Sequence, residues 1–246
     1  MFWDASVMKG YTIEARDARL GTVSDFLFED ASWMIRWLVV DTGHWLSGRK
    51  VLLPPSALGH PDPPSHRFPV KLTAQQVNNS PEIDTDRPVS RQMESHIFDY
   101  YDWDPYWRGA MAAPFAAPLY LPRSKPLEHV RAGPQSTEGD PHLRSTAAVT
   151  GYHIHATDAQ IGHVEDFLVN DAGWSIRYLV VDTSNWWPGE QILISPRAVR
   201  EIDWADRSIH LNISRQRVKG GRVYDPSRMA DRTNEESMLK YYRRSV

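Results

Sequence analysis

The sequence of 246 residues contains no cysteine, which excludes disulfide bonds, thiolate metal sites and a cysteine nucleophile. It also lacks an apolar run of about 18 residues, and Met1–Asp4 shows no basic signal-peptide start. The formal net charge is only −3, so no excess of positive charge favours nucleic acid or an anionic membrane. We therefore expect a cytoplasmic protein without a transmembrane segment, and nucleic acid is disfavoured as its partner.

A duplication is the strongest feature that the sequence does contain. Residues 35–42 read Ile-Arg-Trp-Leu-Val-Val-Asp-Thr, and residues 176–183 read Ile-Arg-Tyr-Leu-Val-Val-Asp-Thr. The correspondence continues without a gap from Gly10/Gly151 to Tyr101/Tyr242, at a constant offset of 141 positions. Such internal similarity indicates two copies of one structural unit.

The repeated segment has the β-branched and aromatic composition of a strand. Strict alternation places Ile35, Trp37 and Val39 on one face of this central strand. Arg36, Leu38 and Val40 point the other way, so both faces are largely apolar. A strand of this kind is expected to be covered on both sides.

Short strands joined by tight turns surround the central strand and predict a small β-barrel in each copy. Gly21 and Gly162 lie where the apolar alternation changes phase, which is typical of a β-bulge. Each copy then ends in a predicted helix whose apolar stripe covers the central strand. The stripe residues are Ile97, Tyr100 and Tyr101 in the first copy and Met238, Tyr241 and Tyr242, after a Thr233–Glu236 capping box, in the second.

The segment between the copies is rich in proline, alanine and serine and predicts an extended linker. The predicted organisation is a first repeat with its helix at 1–109, a linker at 110–150, and a second repeat with its helix at 151–246. The fold class is mainly β, with two small barrels in tandem. Because the central strands have apolar outer faces, we expect the barrels to pack on each other or within a homodimer.

Three stretches of the first copy resemble the PRC-barrel domain: residues 17–30, 35–42 and 48–58. The second copy matches independently at 158–171, 176–183 and 189–199. The family takes its name from the H subunit of the photosynthetic reaction centre, and the ribosome maturation factor ends in the same barrel. The resemblance implies a non-catalytic module, without a cofactor, that docks on another protein.

Several charged residues recur in both copies, and an enzyme hypothesis would make them acid, base and anchor. They are the pairs Asp25/Asp166, Asp41/Asp182 and Arg36/Arg177. Because one active site rarely needs two identical copies, we predict structural roles, with the aspartates at positions 41 and 182 capping a turn. No nucleophile elbow, phosphate-binding glycine loop or dinucleotide fingerprint accompanies them. We predict that the protein is not an enzyme.

His153, His155 and His163 cluster in the second copy only. Two or three imidazoles on one hairpin are a weak candidate for a metal site, and a metal-binding sensor is one alternative function. Outward polar residues on a strand are ordinary, so the prediction is that no metal is bound.

The loop after the central strand holds Trp45-Leu46 in one copy and Trp186-Trp187 in the other. The recurring Trp45 and Trp186 are predicted to plug the barrel ends. Leu46, Trp187 and Trp204 are the predicted partner-binding residues, because large apolar groups at loop ends are costly to leave in water.

The sequence thus predicts an adaptor or regulatory module that binds a protein partner, with a membrane or electron-transfer complex as one setting. A ribosome- or RNA-binding role is the other alternative, and it would use the Arg-rich segment from Arg200 to Arg244.

Overall fold

The computed structural model describes residues 1–43, 48–80, 91–101, 143–183, 190–221 and 223–225. The predicted residues Trp45, Leu46, Trp186 and Trp187 lie outside these ranges. The predicted second helix, which contains Met238, lies outside them as well.

The first repeat is a series of short strands with three helices. The aromatic and β-branched runs form the strands, and Pro54-Pro55 ends one of them. Thr73 accepts a hydrogen bond from the Gln76 backbone amide and begins a short helix through a capping box. The elements are β1 (Phe2–Asp4), α1 (Ala5–Met8), β2 (Thr12–Glu14), β3 (Arg19–Glu29), β4 (Met34–Asp41), β5 (Lys50–Leu53), a 3₁₀ turn (Pro55–Ala57), β6 (Arg67–Pro69), α2 (Ala74–Asn78) and α3 (Arg91–Tyr101).

The elements of the second repeat are β7 (Leu143–Ser145), α4 (Thr146–Val149), β8 (His153–His155), β9 (Gln160–Asn170), β10 (Ser175–Asp182), β11 (Gln191–Ile194), a 3₁₀ turn (Pro196–Ala198), β12 (Val199–Asp203), β13 (Ser208–Leu211) and α5 (Arg215–Lys219). Most of them lie at the positions of the first repeat's elements displaced by 141 residues, but β12 has no counterpart strand, and no counterpart of α3 lies within the described residues. Strand β7 and helix α4 fall inside the segment predicted as linker, and they correspond to β1 and α1. The duplication therefore extends further towards the N-terminus in structure than in sequence.

The described part of the protein is mainly β, and its sheet curls into a half-barrel. In the first repeat the strand order is β5-β4-β3-β2-β6, with β2 and β6 parallel. The bulge predicted at Gly21 is confirmed by a register shift: Ile13 pairs with Gly21, but Glu14 pairs with Arg19. A Cβ on Gly21 would lie 2.0 Å from the Asp41 carbonyl oxygen, so the close approach of β3 and β4 requires glycine there. Gly162 has the same environment in the second repeat.

The two repeats exchange their N-terminal strands. β1 of the first repeat pairs with β9 of the second, and β7, which precedes the second repeat, pairs with β3 of the first. The ends of the long hairpins also meet, where the Ile35 amide donates to the Trp174 carbonyl at 2.7 Å and the Ile176 amide donates to the Trp33 carbonyl at 2.8 Å. The thirteen strands of the described residues therefore belong to one sheet, and the repeats pack on each other within the chain.

The outer face of β4 is covered by helix α3. Trp37, Val39 and Leu52 pack there against Ile97 and Phe98, so Phe98 takes the place predicted for Tyr100, which is exposed. The Trp37 indole donates a hydrogen bond of 2.6 Å to the buried Glu94 carboxylate.

The predicted alternation along β4 is wrong at one residue. Ile35 joins Leu38 and Val40 in the main core instead of facing outward with Trp37. The reason is a register shift against β3, where Leu27 pairs with Trp37 but Phe28 pairs with Ile35, leaving Arg36 as an extra residue.

Candidate partner-binding groove

A groove of about 630 Å³ lies at the junction of the two repeats. One wall is the β3–β4 turn at residues 30–34, and the other consists of residues 175–178 and 195–204 of the second repeat. The turn is tight because Trp33 adopts a positive φ of 58° and folds its ring onto Phe28, with the ring centroids 5.3 Å apart. The groove thus has a rigid, partly aromatic wall.

Arginines dominate the charge of the groove. Arg177, Arg197 and Arg200 are exposed and line it, against the carboxylates of Asp30 and Glu201. Asp30 already forms an ion pair of 3.5 Å with Arg144. The lining therefore favours an occupant with negative charge, since exposed guanidinium groups bind carboxylates through paired hydrogen bonds.

Trp204 is the one predicted partner-binding residue that the structure describes, and it lines this groove. Its indole is half-buried, with the Arg144 guanidinium 3.8 Å from the ring centroid and the Tyr152 ring edge-on at 6.1 Å. These contacts hold the indole in place, so it offers a fixed apolar surface beside the arginines.

On the other side of the junction, the N-terminal residues Met1 and Trp3 occupy the position that is equivalent to the groove. Asp171, the counterpart of Asp30, is buried and accepts hydrogen bonds from the Met1 ammonium at 2.6 Å and the Trp3 indole at 3.0 Å. The His60 ring lies 3.3 Å from the same carboxylate. Burial by itself raises the pKa of Asp171, but the ammonium and indole hydrogen bonds outweigh it, so that pKa is lowered from 3.8.

The paired carboxylates Asp25 and Asp166 hold the exchanged helices. Asp25 accepts from the Thr146 hydroxyl at 2.7 Å and from the Ala147 amide at 3.1 Å, at the start of α4. Asp166 accepts from the Ser6 amide at 3.2 Å and from its hydroxyl at 2.5 Å, at the start of α1. Each aspartate thus caps a helix that belongs to the other repeat.

The remaining recurrent residues differ between the copies. Arg36 donates a hydrogen bond to Glu29, and Asp41 accepts one from the Gly43 amide at 2.8 Å, as a turn cap does. The counterpart of Glu29 is Asn170, a residue without a carboxylate, whose side-chain oxygen accepts a hydrogen bond from the Ala172 amide at 2.9 Å. Arg177, the counterpart of Arg36, lines the groove.

The three predicted histidines separate into two groups. His155 stacks on His210 with ring centroids 5.1 Å apart, and its pKa is lowered by burial first and by His210 and His153 next. His153 lies 3.2 Å from the Gln160 amide nitrogen. His163 instead lies beside the carboxylates of Glu165, at 3.5 Å, and Asp182, at 3.9 Å.

Sequence reasoning missed Glu165, although one signal for it was present. Glu165 follows His163 by two positions, which places both side chains on one face of a regular strand. Asp182 could be joined to them only through the register of β9 against β10, which the sequence does not specify.

Comparison with known families identifies the first repeat. The model of the PRC-barrel domain matches residues 5–75, and no curated protein matches the chain. Residues 5–75 are therefore a PRC-barrel domain, as the resemblance indicated. Domains of this family are protein-interaction modules and are in general non-catalytic. Each helix in the described part of the chain is too short or too polar to span a bilayer.

Proposed function

We propose that this PRC-barrel protein is a non-catalytic adaptor whose two repeats form one binding unit. The groove at the repeat junction is its docking site, and the occupant is an extended, acidic segment of a protein partner. The observation that supports this proposal is the groove itself, where three exposed arginines stand beside the half-buried indole of Trp204.

The shape of the site favours an extended segment. Strand β12 lines the groove and stands at the end of the strand order among the described residues. Edge strands accept a further strand through backbone hydrogen bonds, and pockets along the edge then select the side chains. Here Ile202 and Trp204 offer apolar contact, while Arg197 and Arg200 offer charge.

The contacts of the recurrent charged residues support a role without catalysis. Asp25 and Asp166 cap helices, Asp41 caps a turn, and Arg36 binds Glu29. Asp25 and Asp166 have the same structural role in the two repeats, and Arg36 and Asp41 have structural contacts in the first. These contacts agree with the proposal that the four groups take no part in a reaction. The resemblance to the reaction-centre H subunit makes a membrane protein complex the first place to look for the partner.

A displayed library of random peptides tests the groove directly. Wild-type protein should enrich Asp- and Glu-rich sequences, and the Arg197→Glu/Arg200→Glu variant should bind those peptides at least tenfold more weakly. Trp204→Ala should also weaken them, because a central tryptophan typically contributes about 2 kcal/mol or more, roughly thirtyfold in affinity.

Arg19→Glu is the matched control, since it reverses an exposed arginine of the first repeat away from the groove. It should bind within a factor of about two of wild type, with the small difference expected for a distant charge. Equal binding by wild type and the double groove variant would falsify the proposal. Displacement of the peptides by ribosomal RNA, with a steep salt dependence, would favour the nucleic-acid alternative instead.

Leu46 and Trp187 remain proposed contact residues outside the described ranges. Trp187→Ala should weaken the partner complex while leaving the melting temperature nearly unchanged. An unfolded variant would show instead that Trp187 belongs to the core.

A further inference from the structure

We propose that His163, Glu165 and Asp182 form a binding site for a divalent transition-metal ion of the zinc type. The site lies on the outer face of the second repeat, apart from the residues that line the groove. One ligand atom from each side chain lies within 4.8 Å of the other two. The proposal does not depend on the function of the groove.

The backbone of β9 and β10 brings these three side chains together. His163 and Asp182 are direct partners in the antiparallel ladder, so their side chains lie on the same face. A register shift follows immediately: Val181 pairs with Val164, but Val180 pairs with Asp166. Glu165 is the extra residue in that bulge, and bulges redirect side chains in this way.

The spacing of the ligand atoms is close to what zinc requires. Bonds of about 2.0–2.1 Å in a tetrahedral arrangement place neighbouring ligand atoms about 3.3 Å apart. The His163 Nε2 atom lies 3.5 Å from Glu165 Oε2 and 3.9 Å from Asp182 Oδ2. The third separation, between Glu165 and Asp182, is at most 4.8 Å, so we expect side-chain rotations to bring the three atoms around one ion.

The chemistry of the donors selects the class of ion. One imidazole with two carboxylates is a mixed nitrogen and oxygen set, which suits zinc and its neighbours, whereas magnesium and calcium prefer oxygen alone. The two carboxylates supply two negative charges against a divalent cation. The side chains are 28–49 % exposed, so a fourth position is open to water or to a donor from another molecule.

The site belongs to the second repeat alone. The counterparts of His163 and Glu165 are Thr22 and Ser24, and only Asp182 has an equivalent ligand, Asp41. The first repeat therefore serves as an internal reference that has the equivalent strands but lacks two of the three donors.

Titration of the tag-free, full-length protein with zinc chloride, by calorimetry and equilibrium dialysis, tests the site. Wild type should bind one zinc ion that Glu165→Gln and His163→Ala each weaken at least tenfold. Glu165 is half-exposed and lies in the bulge, so its amide variant keeps the fold even where the histidine variant does not.

His66→Asn is the matched control, because it removes an exposed imidazole from the first repeat while asparagine tolerates its positive φ of 50°. It should bind zinc like wild type. A wild-type protein that binds zinc no more tightly than Glu165→Gln overturns the proposal, as does equal loss of binding in His66→Asn.

Discussion

Asp171 and Asp30 occupy equivalent positions in the two repeats but have different surroundings. Asp171 is buried beneath Met1 and Trp3, whereas Asp30 faces Arg144 and borders an open groove. The backbone framework is the same on both sides of the junction, so the difference comes from the exchanged strands. Trp3 in β1 corresponds to Arg144 in β7. Duplication supplied the framework, and divergence of the exchanged segments closed one side and left the other open.

The largest effect is expected where the two repeats are alike. Gly162→Ala would place a Cβ 1.8 Å from the Asp182 carbonyl oxygen, at a φ of +146°. Gly21→Ala meets the Asp41 carbonyl in the same way. Each change should lower the free energy of unfolding by about 3 kcal/mol or more, measured by urea denaturation.

Gly173→Ala is the control for these glycines, because its added Cβ would meet nothing within 4 Å. It should change stability by less than about 1 kcal/mol. If Gly162→Ala were equally mild, the close packing of β9 against β10 described above would be wrong.

The next largest loss of stability should differ between the two sides of the junction. Asp171→Ala leaves the Trp3 indole and the Met1 ammonium without their shared acceptor, so unfolding should become easier by about 2–3 kcal/mol. Asp30→Ala disrupts an ion pair at the edge of the groove and should cost about 1 kcal/mol or less. Equal losses in the two variants would show that the sides are energetically the same despite their different geometry.

A smaller effect is expected from the aspartates that cap the exchanged helices. Asp25→Ala and Asp166→Ala should each lower the free energy of unfolding by about 1 kcal/mol, the usual contribution of a helix cap. Hydrogen exchange should then be faster in α4 for the first variant and in α1 for the second. If hydrogen exchange became faster in α1 for Asp25→Ala, or in α4 for Asp166→Ala, the swapping of N-terminal segments between the repeats would be contradicted.

The smallest expected effect is on the dependence of stability on acidic pH. Because the folded pKa of Asp171 lies below the unfolded value of 3.8, its contribution to stability is fully present above that pH. The contribution is lost as the pH falls below 3.8 and passes through the folded pKa. Denaturation curves at a series of acidic pH values should show that the free energy of unfolding falls less steeply with acid in Asp171→Asn than in wild type. An equal fall in the two proteins would show that Asp171 does not contribute to acid sensitivity.

The sequence was sufficient for the features that depend on local pattern. The repeated central strand, the glycine bulges and the apolar stripe at Ile97 all follow from residues close together in the chain. The strand exchange could not be predicted, because residues 2–8 and 143–149 share almost no sequence and their pairing partners are distant. The groove could not be predicted for the same reason, because its walls come from both repeats. Trp204 was singled out from the sequence by its size and loop position, and its role in partner binding stays a prediction.

The exchange of segments also determines the order in which the chain can fold during its own synthesis. Trp3 leaves the ribosome before its acceptor Asp171, which lies 168 positions later in the chain. At 5–20 residues per second, β1 waits on the order of ten seconds for a partner strand. Strand β7 finds β3 already synthesised when it emerges. Strand β1 therefore stays without its partner strand until β9 has been synthesised. The first repeat consequently completes its packing only when much of the second repeat has been made, and contacts between such distant residues slow folding.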